Sequence, residues 1–442
     1  MRFSSDTIAA IATPPGEGAI AMVRISGPDV APILARIFQS SAKTVAARQA
    51  TFGKIYDGDE VLDQVLVTTF RAPASFTGED MAEITCHGGI LLAARILENV
   101  LRSGARAADA GEFSQRAFFN GKIDLTRAEA IMDIISARTA PALRAAAHQL
   151  EGRLGKEILA LRDTVLEVVA HIEAWIDFPE EGIDPATGRH LLAKINAAIE
   201  RTERLLSTAD EGRVLREGIR VAIVGLPNAG KSSLLNRLLG MDRAIVSEVP
   251  GTTRDTIEES ACLRGILFRL TDTAGLRETN DPVEQEGVAR SGRAMESADL
   301  VLHIFDASAT KPPAPLHDRE ILVANKSDLI PSGSTKHTGA IAVSSLTGEG
   351  FDALLDAMTN AKGSKHAGTG DSLAAINARH KALLESAATS LHAAAELVQT
   401  NAPPELAAVE LRASLDALGR IVGATDTEDI LGEIFSRFCI GK

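Results

Sequence analysis

A glycine-rich segment near the middle of the chain has the residue types that bind phosphate. It reads Gly225-Leu226-Pro227-Asn228-Ala229-Gly230-Lys231-Ser232, between the apolar run RVAIV and SSLLNRLLG, and fits the spacing GxxxxGK[ST]. Glycines let such a loop curl so that backbone N–H groups point at phosphate oxygens, and the following helix start adds a favourable field. We expect Lys231 to reach the β- and γ-phosphates and the Ser232 hydroxyl to ligate Mg²⁺.

Two further motifs have the chemistry to complete a magnesium and γ-phosphate site. Gly251-Thr252-Thr253-Arg254-Asp255 offers Thr253 as a second Mg²⁺ ligand. Asp272-Thr273-Ala274-Gly275 ends the apolar run LFRLTDT, which places Asp272 near Mg²⁺ and the Gly275 N–H at the γ-phosphate. The three motifs together predict a nucleotide triphosphate site at the ends of predicted strands.

A fourth motif indicates which base is bound. Asn325-Lys326-Ser327-Asp328 follows the apolar run ILVA, and the Asp328 carboxylate can accept hydrogen bonds from guanine N1–H and the exocyclic amine. Adenine presents an acceptor there and no amine, so this pocket selects GTP over ATP. Val343-Ser344-Ser345-Leu346 ends a further predicted strand and backs the guanine O6. The motifs, in this order, predict a GTPase.

The residue after the third motif departs from Ras-like GTPases, which place a glutamine there to orient the attacking water. This chain has Leu276, which cannot form a hydrogen bond. Either hydrolysis is slow, or another group orients the water and another source supplies positive charge. Acidic residues within Arg277–Glu284 are candidates for the water-orienting role, and a solvated acidic loop is the alternative for each of them.

The pattern of apolar runs divides the chain into segments that would position these residues. Residues 1–118 mix short runs bounded by Gly and Pro with a helical stretch at Ile90–Leu101, which predicts an α+β domain. Residues 216–370 alternate strands with helices, which predicts a parallel α/β sheet. Residues 119–215 and 371–442 are helical and similar in composition. We predict one discontinuous helical domain into which the α/β domain is inserted; two separate helical domains are the alternative.

Composition limits the class of protein. The chain has 442 residues, which suggests roughly three domains at ~100–200 residues each. Its hydrophobic residues make up 45% and its charged residues 24%, and this composition excludes a wholly disordered chain, a collagen and a coiled-coil rod. The net charge of 46 − 59 = −13 disfavours a protein that coats nucleic acid non-specifically. Three dispersed cysteines, no signal-peptide pattern and no apolar run of ~18 residues lead us to expect a cytoplasmic protein without a membrane span.

Motifs outside the GTPase segment point to one family. They are Asp6-Thr7-Ile8, Thr13-Pro14-Pro15-Gly16, Arg24-Ile25-Ser26-Gly27, Ser75-Phe76-Thr77-Gly78-Glu79-Asp80, His87-Gly88-Gly89, Gly111-Glu112-Phe113-Ser114-Gln115-Arg116-Ala117-Phe118, Asn120-Gly121-Lys122-Ile123-Asp124-Leu125, Ala128-Glu129-Ala130 and the terminal Cys439-Ile440-Gly441-Lys442. With these motifs, over essentially its whole length, the chain resembles the MnmE (TrmE) family of tRNA-modification GTPases.

The resemblance implies an α/β and α+β multidomain fold: an N-terminal tetrahydrofolate-binding and dimerisation domain, a discontinuous all-α domain and an inserted Ras-like P-loop GTPase domain. It implies a homodimer that forms a heterotetramer with an FAD-dependent partner, MnmG (GidA), and acts on tRNA. The two proteins together would install an aminomethyl or carboxymethylaminomethyl group at C5 of the wobble uridine. A tetrahydrofolate derivative would supply the one-carbon unit.

The resemblance also assigns residues outside the GTPase motifs. The folate contacts of the family fall on Arg24, Glu83, Lys122 and Lys442, although Arg24 and Lys122 could otherwise be ordinary surface cations. Cys439 would lie at the modification or folate site. A prenylation signal is a poor alternative because Lys442 is not a usual last residue of such signals, and a small buried residue at a helix end is the other alternative.

In this family a potassium ion takes the place of an arginine finger. Its ligands carry over to the Asn228 side chain, Ser247, the Val249 carbonyl and Thr252, with Ser247 standing where the family has Thr, and Glu284 matches the water-orienting glutamate. The predicted catalytic residues are Glu284, Lys231, Thr253 and Cys439. The predicted GTP-binding residues are Asn228, Ala229, Gly230, Lys231, Ser232, Ser233, Ser247, Glu248, Val249, Pro250, Gly251, Thr252, Thr253, Asp272, Thr273, Ala274, Gly275, Asn325, Lys326, Asp328, Ser344, Ser345 and Leu346.

Two other function classes share the GTPase motifs. A ribosome-assembly GTPase of the Era or Der type would need a KH-like RNA-binding domain or tandem G domains, and the sequence shows neither. A purely regulatory GTP switch would need no second chemical site.

Overall fold

A computed structural model describes residues 6–42, 46–177, 185–241, 258–272, 295–308, 319–330, 339–361, 376–425, 428–436 and 438–441. The chain forms two compact units. The first comprises residues 1–132, 155–162 and 415–442, and the second comprises residues 133–154 and 163–414.

Two sheets and thirteen α-helices are described. The strands are β1 Ile8–Ile11, β2 Ile20–Ser26, β3 Phe38–Gln39, β4 Ala50–Asp57, β5 Glu60–Phe70, β6 Met81–His87, β7 Arg106–Ala107, β8 Ile219–Gly225, β9 Glu258–Leu263, β10 Ile266–Asp272, β11 Leu300–Asp306, β12 Glu320–Asn325 and β13 Ile341–Ala342. The helices are α1 Val30–Ile37, α2 Ile90–Arg102, α3 Glu112–Phe119, α4 Leu125–Ser136, α5 Ala140–Leu150, α6 Arg153–Asp177, α7 Pro185–Leu206, α8 Ala209–Glu217, α9 Lys231–Gly240, α10 Phe351–Asn360, α11 Ala378–Gln399, α12 Pro404–Val422 and α13 Glu428–Ser436.

The first unit contains a seven-stranded sheet in the order β3-β4-β5-β6-β2-β1-β7. All neighbouring strands pair antiparallel except β1 and β7. Strands β2 and β6 alternate buried and more exposed residues, as a sheet with one covered face does. Ile25, Ile84 and Val67 pack into a core with Ile33 of α1 and Ile96 of α2. The α+β prediction for this segment is confirmed.

The end of the chain also belongs to this unit. Leu431 and Phe435 of α13 and Phe438 beyond it form a small core with Leu125 and Ala128 of α4. The C-terminal residues are therefore held by packing against helices that follow the first sheet in sequence.

The second unit contains a six-stranded sheet in the order β13-β12-β11-β8-β10-β9. The five strands predicted from the sequence are parallel, so the prediction is confirmed for them. An additional edge strand that was not predicted, β9, pairs antiparallel with β10. The physical reason is a two-residue connection, Arg264-Gly265, with φ values of 52° and 81°. Two positive φ values form the type I′ turn that joins antiparallel strands.

Helices before and after the second sheet pack on each other. Helix α7 lies against α11, and His392 Nε2 contacts Glu203 Oε1 at 3.0 Å between them. Within the segment 119–215, which was predicted to be helical, the chain is interrupted at Gly152, where φ is 82° and α5 gives way to α6. The domain boundaries at residues 118, 215 and 370 stay predictions. No helix in the described part of the chain is long and apolar enough to span a bilayer.

Candidate functional sites

The phosphate-binding loop connects β8 to α9 in the second unit. Lys231 is the first residue of α9, and its Nζ donates to the carbonyls of Gly225 at 2.9 Å and Leu226 at 3.1 Å. The lysine side chain therefore lies back along the loop, with its charge where phosphate oxygens would be bound. Gly230 has φ 92°, a left-handed conformation that a glycine adopts without strain.

Asn325 at the end of β12 ties the phosphate loop to the guanine loop. Its Nδ2 donates to the Ala229 carbonyl at 2.9 Å. Its Oδ1 accepts from the Ser345 backbone N–H at 3.1 Å and from the Ser345 hydroxyl at 2.9 Å. A side chain at Gly230 would overlap Asn325 Nδ2, so the glycine is required for this approach. Asn325 is 1% exposed, and the bonds on both ends of its amide give the side chain one orientation.

The predicted base-recognition residues are also brought together. The Ser344 hydroxyl donates to Asp328 Oδ1 at 2.6 Å, which orients the carboxylate, and Leu346 beside them is 80% exposed. The arrangement can present a fixed acceptor to guanine N1–H and the amine.

Asp306 is a site residue that the sequence analysis missed. It ends β11, and Lys326 Nζ donates to its Oδ2 at 2.7 Å, while the Ser308 N–H and hydroxyl donate to Oδ1 at 2.9 and 2.6 Å. The Lys326 ammonium, followed by the Ser308 hydrogen bonds, lowers the pKa of Asp306 from 3.8 to about 2. An acid that directly follows an apolar strand, in LVLHIFDA, is the signal that could have identified it.

Two of the predicted metal ligands, Ser232 and Asn228, are among the described residues, and both have a side-chain oxygen. The Ser232 hydroxyl at the start of α9 is an oxygen ligand of the kind that Mg²⁺ prefers, and Ser232 and Asn228 are both exposed. The remaining predicted residues lie outside the described residues: Ser247, Glu248, Val249, Pro250, Gly251, Thr252, Thr253, Thr273, Ala274, Gly275 and Glu284, with Leu276 and Lys442. Asp272 is described as the last residue of β10, without its side chain.

A second polar site lies on the sheet of the first unit. Arg24 of β2 and Glu83 of β6 are cross-strand neighbours, and Arg24 donates from Nε and Nη2 to Glu83 Oε1 at 3.1 and 2.8 Å. The rings of Phe76 and Phe113 each lie with their centroid 5.8 Å from the guanidinium carbon. Both charged side chains remain about one-fifth exposed, at 20% and 21%, so the pair is accessible to a ligand.

The C-terminal residues reach this second site. Arg24 Nη1 donates to the Gly441 carbonyl at 3.2 Å, and Cys439 is exposed. The alternative that Cys439 is a buried small residue is therefore wrong. Lys122 is exposed, and its Nζ donates to the Pro73 carbonyl at 2.8 Å.

A buried ion network beside the second site was also missed. Arg116 is 1% exposed and pairs with Asp6 at 2.8 Å, Glu112 at 2.9 Å and Glu79 at 3.2 Å. Burial raises the pKa of Glu112, but hydrogen bonds from Arg106, the Asp109 N–H and Arg116 outweigh it, and the pKa is lowered. The signal was present in the charged residues of the motifs around Asp6, Glu79 and Arg116.

Two family models match adjoining parts of the chain. The model of the GTP-binding protein TrmE N-terminus matches residues 7–122, and the model of the MnmE helical domain matches residues 125–439. Together they account for nearly the whole sequence.

Curated relatives match over the same length. The tRNA modification GTPase MnmE of Akkermansia muciniphila is 50% identical over 443 residues, covering 99% of each chain. That of Chloroflexus aurantiacus is 47% identical over 454 residues, covering 99% of this chain and 100% of its own. Among solved structures, the G domain of the T. maritima FeoB iron transporter is 27% identical over 31% of this chain and 94% of its own, at a TM-score of 0.22; it adds nothing to the assignment. By its relatives and both models, the chain belongs to the MnmE family of tRNA modification GTPases.

Proposed function

We propose that this chain, a GTP hydrolase that acts in tRNA modification, modifies C5 of the wobble uridine together with the FAD-dependent partner MnmG. The observation that carries this proposal is a second polar site, Arg24 and Glu83 with the C-terminal residues beside them. A purely regulatory GTP switch needs only the nucleotide site, whereas a chain that also handles a one-carbon donor needs a second one.

The chemistry of the second site suits a tetrahydrofolate derivative. A pterin offers a donor edge to a carboxylate such as Glu83, and a folate glutamate tail offers carboxylates to cations such as Arg24 and Lys122. Phe76 and Phe113 flank the guanidinium and keep apolar surface next to the charges. Lys442, the next residue after Gly441, supplies a further cation in the proposal.

Potassium-stimulated hydrolysis is the proposed solution to the missing glutamine at Leu276. A bound K⁺ supplies positive charge where negative charge develops on the phosphates. Asn228 is exposed, with φ 63°, in the phosphate loop, and its side-chain oxygen would hold the ion with Ser247, the Val249 carbonyl and Thr252. Ser232 and Thr253 would hold Mg²⁺. Glu284 would orient the attacking water.

The assembly and compartment are also proposals. The chain would dimerise through its N-terminal domain and join MnmG in a heterotetramer that binds tRNA. Because the chain has a net charge of −13, we propose that MnmG provides much of the basic surface that binds tRNA. Three free cysteines suit the reducing cytoplasm.

Mass spectrometry of tRNA nucleosides separates the proposal from its alternatives. A deletion strain should lack the C5-modified wobble uridine, and the wild-type gene should restore it. The Cys439→Ser gene should not restore it, although the purified variant should hydrolyse GTP at nearly the wild-type rate. Normal tRNA with defective ribosome assembly would favour the Era or Der type, and normal tRNA and ribosomes would favour a regulatory switch.

The potassium proposal has a direct kinetic test. The wild-type protein should hydrolyse GTP much faster in potassium than in sodium. Asn228→Ala should remove most of that difference. Asn401 is a matched control because it too has positive φ, 51°, but lies outside the nucleotide motifs, so Asn401→Ala should keep the potassium effect. Equal wild-type rates in the two salts would exclude the proposed ion.

A further inference from the structure

Arg237 lies on α9, the same helix as Lys231, and contacts the loop that contains the predicted guanine-backing residues. Its Nη1 donates to the Leu346 carbonyl at 3.5 Å, and its Nη2 donates to the Thr347 carbonyl at 3.2 Å. Its guanidinium carbon lies 6.0 Å from the centroid of the Phe351 ring, a distance at which a cation–π contact forms. Arg237 therefore joins the helix that begins at the phosphate loop to the loop at the base-recognising end of the site.

A glycine at position 348 makes room for this guanidinium. Gly348 has φ 90°, and a Cβ there would lie 2.1 Å from Arg237 Nη2. The Gly348 N–H donates to the Ser344 carbonyl at 2.8 Å, and the Ser344 N–H donates to the Glu349 carbonyl at 2.9 Å. Because these backbone bonds close the loop on itself, a contact to two of its carbonyls fixes the position of the whole loop.

The peptide group that Arg237 contacts is also connected to the guanine-recognising carboxylate. In a trans peptide the carbonyl and the N–H point in opposite directions, so the Leu346 carbonyl faces Arg237 while the Thr347 N–H faces away from it. This N–H donates to Ser344 Oγ at 3.1 Å, and the same hydroxyl donates to Asp328 Oδ1 at 2.6 Å. A hydroxyl has one proton, and the bond that this hydroxyl accepts helps to aim that proton at Asp328.

We propose that Arg237 is a positioning residue for guanine recognition, which holds the loop Ser344–Gly348 and thereby orients the Asp328 carboxylate. The orientation matters most for the exocyclic amine of guanine, because this amine and the N1–H must meet the two oxygens of one carboxylate together. The nucleotide-binding motifs of the sequence do not contain Arg237. The inference goes beyond the proposed tRNA chemistry, and it rests on the predicted base-recognition role of Asp328.

Binding of GTP and of inosine triphosphate to the full-length protein tests this role. Inosine triphosphate differs from GTP only in lacking the exocyclic amine, so the ratio of the two affinities reports the contribution of that amine. Arg237→Met should lower the ratio by roughly 3- to 10-fold, equivalent to one hydrogen bond. Arg237→Lys keeps the charge but lacks the fixed fork of donors, and its ratio should lie between those of Arg237→Met and the wild type. An unchanged ratio in Arg237→Met, including an equal loss of affinity for both nucleotides, would overturn the proposal.

Arg264→Met is the matched control for the loss of an arginine. Arg264 lies in the turn between β9 and β10 and pairs with Asp352 and Asp356 of α10, so it contacts the helix that follows the loop. The Arg264→Met variant should keep the wild-type ratio of affinities. A fall as large as that in Arg237→Met would show that the ratio responds to any weakening of this unit, and the proposal would then fail.

Steady-state hydrolysis gives a second readout. Arg237→Met should raise the KM for GTP and leave kcat near the wild-type value, because the Lys231 bonds within the phosphate loop remain. A fall in kcat with unchanged KM would place the effect at the phosphates and contradict the proposal. If the wild-type protein does not prefer GTP to inosine triphosphate, the role assigned to Asp328 fails and the proposal fails with it. A wild-type preference that Arg237→Met retains would refute the role of Arg237 alone.

Discussion

The nucleotide site and the Arg24–Glu83 site are assembled over different lengths of chain. Lys231 bonds to carbonyls five and six residues away, so the phosphate loop is largely built by consecutive residues. Arg24 bonds to Glu83, 59 residues away, and to Gly441, 417 residues away. The first site depends mainly on local backbone conformation, and the second depends on strand pairing and on the position of the C-terminus.

This difference predicts different responses to mutation. A local loop keeps most of its geometry when remote packing is weakened, since the Lys231 hydrogen bonds lie within one strand–loop–helix unit and Asn325 adds a bond from a neighbouring strand of the same sheet. A site made of distant residues loses its geometry when any of the elements that carry them shifts. The two sites should therefore be separable by single substitutions.

The largest expected effect is on hydrolysis alone. Glu284→Ala should lower the GTP hydrolysis rate by roughly 10²–10⁴-fold, the range for loss of a group that positions or deprotonates water. GTP affinity and folate affinity should stay near wild type, because Glu284 lies outside the phosphate and guanine motifs and far in sequence from the second site. Single-turnover rates with separate binding titrations measure this. If Glu284→Ala hydrolyses GTP normally, Glu278 or Asp281 becomes the next candidate.

The converse experiment removes Arg116, whose ion pairs support the sheet that carries the Arg24–Glu83 site. Arg116→Met should destabilise the first unit by up to ~3–5 kcal/mol, because the buried Glu112 loses one of its two arginine partners and keeps only Arg106 among them. Denaturant unfolding, followed by hydrogen exchange in β1 and β6, measures the loss. GTP affinity should persist at denaturant concentrations where folate binding is already lost.

A control fits this experiment closely. Arg153 pairs with Glu151 at 3.3 Å, with side chains 47% and 63% exposed, and such exposed pairs contribute ~0–1 kcal/mol. Arg153→Met should therefore leave unfolding almost unchanged. A loss as large as that of Arg116→Met would show that the effect is not due to buried charge.

A smaller effect is expected from a change of base recognition. Asp328→Asn should weaken GTP binding by roughly 10²-fold, since charge-assisted hydrogen bonds are lost and a donor then faces the guanine amine. Xanthosine triphosphate has a carbonyl in place of that amine and should bind the variant better than it binds the wild type. Competition titrations measure both affinities, and an unchanged preference for guanine would contradict the assigned role.

The same contrast explains what the sequence could predict. The phosphate loop, Asn325 and Asp328 follow apolar runs in a fixed order, so both their elements and their roles were evident from local spacing. The strands carrying Arg24 and Glu83 were also predictable, but their pairing was not, because strand register depends on contacts between segments distant in sequence.

The missed features are tertiary in origin. The Arg116 network collects Asp6, Glu79 and Glu112. Glu112 and Arg116 are four residues apart on α3, a spacing at which helical side chains meet, but no spacing rule connects them with Asp6 and Glu79. The antiparallel edge strand β9 was missed because its turn places Arg264, which is not a typical residue for positive φ, beside Gly265. The need for glycine at position 441 comes from its close approach to the Ile11 carbonyl, a contact between residues that are distant in sequence.

The smallest expected effect lies at Asp306, and its sign follows from its pKa. The Lys326 ammonium and the Ser308 hydrogen bonds lower the pKa of Asp306 from 3.8 to about 2 in the folded state, so folding favours the ionised carboxyl. The stabilisation is fully present above the unfolded pKa and is lost as the pH falls through the folded one. Because both side chains are about one-third exposed, at 33% and 32%, we expect the ion pair to contribute only ~0.5–1 kcal/mol to the free energy of unfolding.

Asp306→Asn should lower the free energy of unfolding by that amount at neutral pH. It should also flatten the fall in stability between pH 3.8 and about 2, as measured by denaturant unfolding across this range. Parallel curves of unfolding free energy against pH for wild type and variant would show that the Lys326–Asp306 contact contributes nothing to folding. The dependence on ion pairs would then distinguish the Arg24–Glu83 site from the nucleotide site.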